Sequence, residues 1–219
     1  MSELLLHGFS VSPYVRSTRI AFIEKGVTHC FNEIGFDHLA TDDYSKLNPF
    51  QKMPVLQQEN FVLYETPAIL GYIDEAFDGT ALQPVDPKAR GQMHKWLGIA
   101  ANYLYPVGVM QLFLHRVMLP LMGNEPDEAV VESSVVAIVQ PLDVLERELV
   151  EPFLVGNTLS LADILVGAMV SCIHLAPEGA TLIQARPKTA AWLSQLSQRE
   201  SFQHSLSSLL QSKSLGGVA

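Results

Sequence analysis

Apolar and polar positions give this chain two rhythms. Up to about residue 77 the apolar residues come in short runs between turn signals. Glu3 to Phe9, ELLLHGF, is an apolar run reaching Gly8, which predicts a buried strand. Pro13 to Lys25 follows as a helix, with Ser12 as its N-cap, Pro13 as its first residue and Gly26 as its stop. Val27 to Ile34 reads as a second strand and Thr41 to Leu47 as a short helix or turn. Val55-Leu56 and Phe61 to Leu63 flank the polar stretch Gln57 to Asn60, a tight antiparallel hairpin. Pro54 starts its first strand, because proline donates nothing to a ladder, and Met53-Pro54 is a candidate cis peptide. Thr66 then Pro67 has the form of a helix N-cap with proline at the first helical position. The order β-α-β-α-β-β-α implies parallel strands joined by a right-handed crossover, to which the hairpin adds antiparallel pairing.

After residue 78 the strand rhythm stops. Asp78 to Pro87, DGTALQPVDP, carries glycine, prolines and aspartates, so the division falls into residues 1–78, a linker over 79–87, and an all-helical part over 88–219. Lys88 to Met122 is a long helical stretch with a bend expected at Pro106, and Gly123 to Pro126 is a turn. Val131, Val135, Ile138, Leu142, Leu145 and Leu149 form a helical core stripe over Asp127 to Val150, with a kink expected at Pro141. Ser160 and Asp163 have capping-box spacing ahead of Leu161 to Leu175, which is apolar nearly all round and is therefore the expected central helix. Pro187 to Leu196 and Glu200 to Leu210 complete the expected bundle, with a frayed tail from Ser212.

Composition narrows the chemistry. The 219 residues carry a formal charge of −9, which disfavours nucleic acid, acidic partners and anionic membranes as binding targets. No uninterrupted apolar run approaches the roughly 18 to 20 residues of a membrane span, and Met1 to Ser10 lacks a basic start before an apolar core, so a cytoplasmic location is expected. Cys30 and Cys172 lie too far apart for metal-ligand spacing and are both expected to be buried apolar residues in a reducing compartment.

Candidate chemistry sits at the joints of Leu47 to Leu70. A bend at Met53-Pro54 leaves the Met53 backbone facing outward, where an extended peptide can pair as an added strand. At the start of the next helix, free amides and the Thr66 hydroxyl suit an α-carboxylate, and the Glu65 carboxylate suits an α-ammonium. An ordinary capped helix after a hairpin explains the same triplet equally well. Ser12 can accept a helix amide as a cap and still donate its own hydrogen. His7 reads as a strand-face residue.

Four segments together, SPYVRSTRIAFIEKGV, NPFQKMPVL, LYETPAILGYIDEAF and PFLVGNTLSLADILV, resemble the cytosolic glutathione transferase family over nearly the whole length. The serine-proline start of the first helix resembles its serine-type branch, phi-like or a related bacterial class. The resemblance implies an α/β thioredoxin-like domain followed by an all-α helical bundle, in a homodimer that uses glutathione as co-substrate and no metal. It implies a glutathione site of Lys52, Met53, Glu65 and Thr66, with Ser12 as the catalytic residue against the thiol and Ser10 as the other candidate. Its implied activity is conjugation of the thiolate to hydrophobic electrophiles. A glutathione-dependent isomerase or dehalogenase, or a non-catalytic protein-binding module of the same fold, remain alternatives. The electrophile pocket is expected between the domains, with Phe9, Tyr103, Met110, Leu114 and His115 as candidates whose commoner explanation is core packing. The sequence departs from the family at Ser17, where an arginine is frequent and Arg16 stands next to it, and at Thr66 in place of serine.

Overall fold

A computed structural model describes residues 3–150 and 152–214, with side chains placed as far as residue 211. The tail expected to fray from Ser212 thus lies outside the described side chains, and beyond residue 214 outside the described residues. The chain divides into two compact units: residues up to Leu82 together with Glu200–Ser212, and Gln83–Arg199.

The first unit contains β1 (Leu4–Gly8), α1 (Pro13–Lys25), β2 (Cys30–Glu33), α2 (Phe36–Leu39), α3 (Asp42–Leu47), β3 (Val55–Gln58), β4 (Phe61–Tyr64) and α4 (Thr66–Ala76). Its sheet has the order β2-β1-β3-β4, with β1 parallel to β2 and antiparallel to β3, and β3 antiparallel to β4. Leu4, Leu6 and Leu56 are buried, and this register is fixed because a one-residue slip would move each of them to the opposite face of the sheet. α1 has the predicted bounds, and Gly26 ends it in the left-handed conformation, φ 69°. Gly8 lets α1 approach the end of β1, because a Cβ there would collide with the Val15 side chain. α1 and α4 pack together, and the buried Lys25 ammonium reaches the Asp74 carbonyl and carboxylate at 3.0 and 3.2 Å. The hairpin loop is shorter than expected: Gln58 pairs with Phe61, and Glu59 takes φ 52°.

Among its described residues the regular elements of the second unit are helices, joined by turns and loops and one isolated bridge. Pro87–Leu121 is one long helical stretch built of α5 (Pro87–Ile99), a segment over Ala100–Met118 wound with π-type bonds, and α6 (Leu119–Leu121). The wider winding accommodates Pro106, the residue at which a bend was expected. The stretch is long and apolar enough to cross a membrane by composition alone, yet Leu104, Leu112, Phe113 and Val117 are buried in this unit. Gly108 permits that packing, since a Cβ would strike Ile173.

The single helix expected over Asp127 to Val150 is two: α7 (Glu128–Ala137) and α8 (Val139–Glu148). Pro141 crowds the carbonyl four residues earlier, which is that of Ala137, the last residue of α7. α9 (Leu161–His174) is the central helix, with twelve of its fourteen residues buried against the π-wound segment, α5, α10 (Pro177–Gln184) and α11 (Pro187–Ser197). The expected helix over Glu200 to Leu210 divides into α12 (Glu200–His204) and the start of α13 (Ser208–Ser214). Rather than completing the bundle, α12 packs on α1 in the first unit.

Candidate active site

Register places the candidate residues of the first unit at one end of the sheet. Gly8 pairs with Glu33, His7 with Val55, and Val55 with Tyr64. The last residues of β1, β2 and β4 and the first residue of β3 therefore share that end. Ser12 and α1 follow β1 there, Met53 precedes β3 by two residues, and Glu65 follows β4. Two helix N-termini, with their free amides and positive dipole ends, thus lie at the same end of the sheet.

Ser12 caps α1 as predicted, its hydroxyl accepting the Val15 amide at a long 3.5 Å. It is half-buried, and its hydroxyl hydrogen has no partner among the described residues. Ser10 is different. Its amide and hydroxyl both donate to Glu33 Oε1, at 2.9 and 2.6 Å, its hydroxyl oxygen lies 2.9 Å from that of Ser207, and it is buried. The loop carrying both serines is also held from its other side, because the Phe9 amide donates to Met53 Sδ at 3.1 Å.

Met53-Pro54 is a cis peptide, and among the described residues nothing bonds the Met53 amide or carbonyl. The preceding loop is fixed at Lys52, whose carbonyl accepts from Tyr44 Oη at 2.9 Å and Asn48 Nδ2 at 2.8 Å. Both donors are buried, and burial pushes the Tyr44 phenol up to about 12, so it stays a donor. The Lys52 side chain is left exposed. The family resemblance implies Lys52 as a binding residue, and no local sequence pattern marks the pair of anchors behind it.

Thr66 is the first residue of α4 and not its N-cap, a correction of one position. The cap position belongs to Glu65, whose φ of 71° lies in the left-handed region. Such a backbone costs a non-glycine residue about 1 to 3 kcal/mol and is characteristic of functional sites. The Glu65 carboxylate is exposed, caps nothing and has no ion pair among the described residues, while Thr66 is buried beneath it in the first turn. Both free capacity and strain therefore sit at one residue.

Other expectations fare variously. Cys30 is exposed, not buried, because β2 is an edge strand; its thiol donates to Glu3 at 3.0 Å and that carboxylate pushes its pKa up. Cys172 is buried, and both cysteines are free. Arg16 is buried and anchors the last helices: its Nη2 donates to the Phe202 carbonyl at 3.0 Å and its Nε to Ser205 Oγ at 3.3 Å. Ser17 merely returns its hydroxyl to the Tyr14 carbonyl. Of the apolar-pocket candidates, Phe9 belongs to the first unit and the others to the second. Tyr103 and Met110 are exposed, and Tyr103 lines a shallow cleft with Ile99, Gln140, Pro141 and Val144. His115 is engaged, its Nδ1 accepting the Asp127 amide at 3.1 Å. Among the described residues no group of three histidine, cysteine or acidic side chains is placed to hold a metal ion.

Comparison with known proteins identifies the family of both parts of the chain. Residues 6–81 match the family model of the glutathione S-transferase N-terminal domain, and residues 109–200 that of its C-terminal domain. Glutathione S-transferase 3 of Zea mays is 30% identical over 217 residues, covering 95% of this chain and 96% of its own. Glutathione S-transferase F10 of Arabidopsis thaliana is 32% identical over 188 residues, 82% of this chain and 86% of its own. The theta class glutathione S-transferase of Xanthomonas axonopodis pv. citri, solved with glutathione bound, superposes with a TM-score of 0.84 at 26% identity, over 95% of this chain and all of its own. The solved apo form of glutathione S-transferase III gives 0.83 at 30% identity, over 93% and 95% of the two chains. The chain belongs to the glutathione S-transferase family.

Proposed function

We propose that this transferase holds glutathione across Ser12, Lys52, Met53, Glu65 and Thr66 and adds its sulfur to hydrophobic electrophiles. The unpaired Met53 backbone suits strand-like pairing with the peptide, and the exposed Lys52 ammonium suits a terminal carboxylate. Glu65 suits the α-ammonium of the γ-glutamyl end, and the first amides of α4 with the Thr66 hydroxyl suit its α-carboxylate. A free thiol titrates near 8.5, so only a few per cent is thiolate at neutral pH. The Ser12 hydroxyl donates to that sulfur, and the α1 N-terminus favours its negative charge. The thiol proton leaves to solvent, the sulfur lone pair forms the new carbon–sulfur bond, and the leaving group departs with its bonding electrons. We place the working form as a homodimer in the cytoplasm, in keeping with its family.

The observation that carries the assignment is the contrast between two neighbouring serines: Ser10 is fully engaged, whereas Ser12 retains its donor. Retention on immobilised glutathione and turnover of an aryl halide test it together. Ser12→Ala should keep retention and lower turnover by roughly ten- to a hundredfold, the effect of losing a charge-assisted hydrogen bond of about 1.5 to 3 kcal/mol. Unchanged turnover would remove Ser12 from the chemistry.

A further inference from the structure

The segment at the far end of the sequence reaches the loop that presents Ser12. Ser10 has one hydroxyl hydrogen, and its 2.6 Å bond to the Glu33 carboxylate uses it. In the 2.9 Å contact between the two serines, Ser207 must therefore be the donor. The result is a directed chain, Ser207 to Ser10 to Glu33, in which each bond polarises the next. On the other side of Ser12, one helical turn on, Arg16 binds the Phe202 carbonyl and Ser205 Oγ and lies over the Phe202 ring at 5.6 Å. Residues 202 to 207 thus grip the residue two before Ser12 and the residue four after it. Ser10, Arg16, Ser205 and Ser207 are all buried, so solvent does not replace a lost bond readily.

We propose that Ser207 is a positioning residue for Ser12, setting through Ser10 the loop geometry in which the Ser12 hydroxyl meets the glutathione sulfur. This rests on the thiol reading of Ser12. A hydrogen bond to a thiolate weakens steeply with misalignment, so a small displacement of the loop raises the bound thiol's pKa without removing any group that touches glutathione.

The test is the pH profile of the single-turnover rate at saturating glutathione, measured for the wild type, Ser207→Ala, Ser10→Ala, the double variant and Ser12→Ala, with glutathione affinity as control. The acid limb in Ser207→Ala should move up by about half to one pH unit, roughly three- to tenfold in thiolate fraction at neutral pH. Affinity should stay within about twofold, and the double variant should match Ser10→Ala, since both changes cut one chain. An acid limb that stays put in Ser207→Ala while moving in Ser12→Ala overturns the positioning role, as do additive shifts in the double variant. A limb that also stays put in Ser12→Ala overturns the thiol reading itself, and the positioning role with it.

Discussion

The helices α1 and α9 each have a serine at the N-cap position, and they treat it in opposite ways. At the start of α9 the Asp163 carboxylate accepts the Ser160 amide at 3.0 Å, the Ser160 hydroxyl at 2.8 Å, the Leu154 amide at 2.8 Å and Trp192 Nε1 at 3.0 Å. Ser160 and Asp163 are 2% and 0% exposed. At the start of α1 the Ser12 hydroxyl accepts one long bond, stays half-exposed and keeps its hydrogen. Saturated caps hold a fold together, and an unsaturated cap is available to a ligand. α4 extends the second case, since Glu65 occupies its cap position without capping it.

The largest effect should come from the saturated end. Asp163→Ala leaves three or more buried donors without an acceptor, at about 1 to 3 kcal/mol each, so destabilisation on the order of 3 to 5 kcal/mol is expected. Chemical denaturation measures it, and turnover per folded molecule should persist. Stability within 1 kcal/mol of wild type would break the contrast from that side.

The unsaturated end should lose binding and not stability. Glu65→Ala is expected to weaken glutathione by roughly ten- to a hundredfold, about 1.4 to 2.8 kcal/mol, with the melting temperature nearly unchanged. Calorimetric titration reads the first quantity and a thermal scan the second. Equal affinity would show that the free carboxylate has another purpose.

A smaller effect sharpens the same distinction by pH. His7 bridges the sheet, its ring nitrogens bonded to Gln57 Oε1 at 3.2 Å and Asn32 Nδ2 at 3.0 Å, an arrangement only the neutral ring can make with both amides in these orientations. Burial lowers its pKa below the ordinary 6.5, against a smaller opposing contribution from Gln57. Because the folded state binds this proton less tightly than the unfolded chain, the stabilisation is complete above 6.5 and is lost as pH falls through the depressed folded value. His7→Gln should flatten the denaturation midpoint over that window relative to wild type. An unaltered slope would mean that the acid sensitivity has another origin.

Local signals carried much of this into view from the sequence. Ser12, Pro13 and Gly26 bound α1 because caps, a fixed proline φ and a left-handed stop act within a few residues. Pro54, the expected start of β3, stands one residue before the strand itself, and Ser160 with Asp163 marks α9. What escaped depends on partners distant in sequence. Nothing near Asp163 announces Trp192, nothing near Ser10 announces Ser207, and the pair Tyr44 and Asn48 gives no local sign of converging on the Lys52 carbonyl. The one-residue error at Thr66 has a physical source as well: Glu65 adopts a left-handed conformation that its own side chain disfavours, so propensity pointed to the better capping residue beside it.

The measurement that bears most directly on Ser12 is the ultraviolet absorbance of the bound glutathione thiolate as a function of pH, in the wild type and in Ser12→Ala. If the unengaged hydroxyl donates to sulfur, the wild-type complex should titrate well below the free thiol value of about 8.5, and the variant about one unit higher than the wild type, equivalent to about 1.4 kcal/mol. Superimposable titrations would contradict the account, leaving Ser12 a helix cap of the same kind as Ser160.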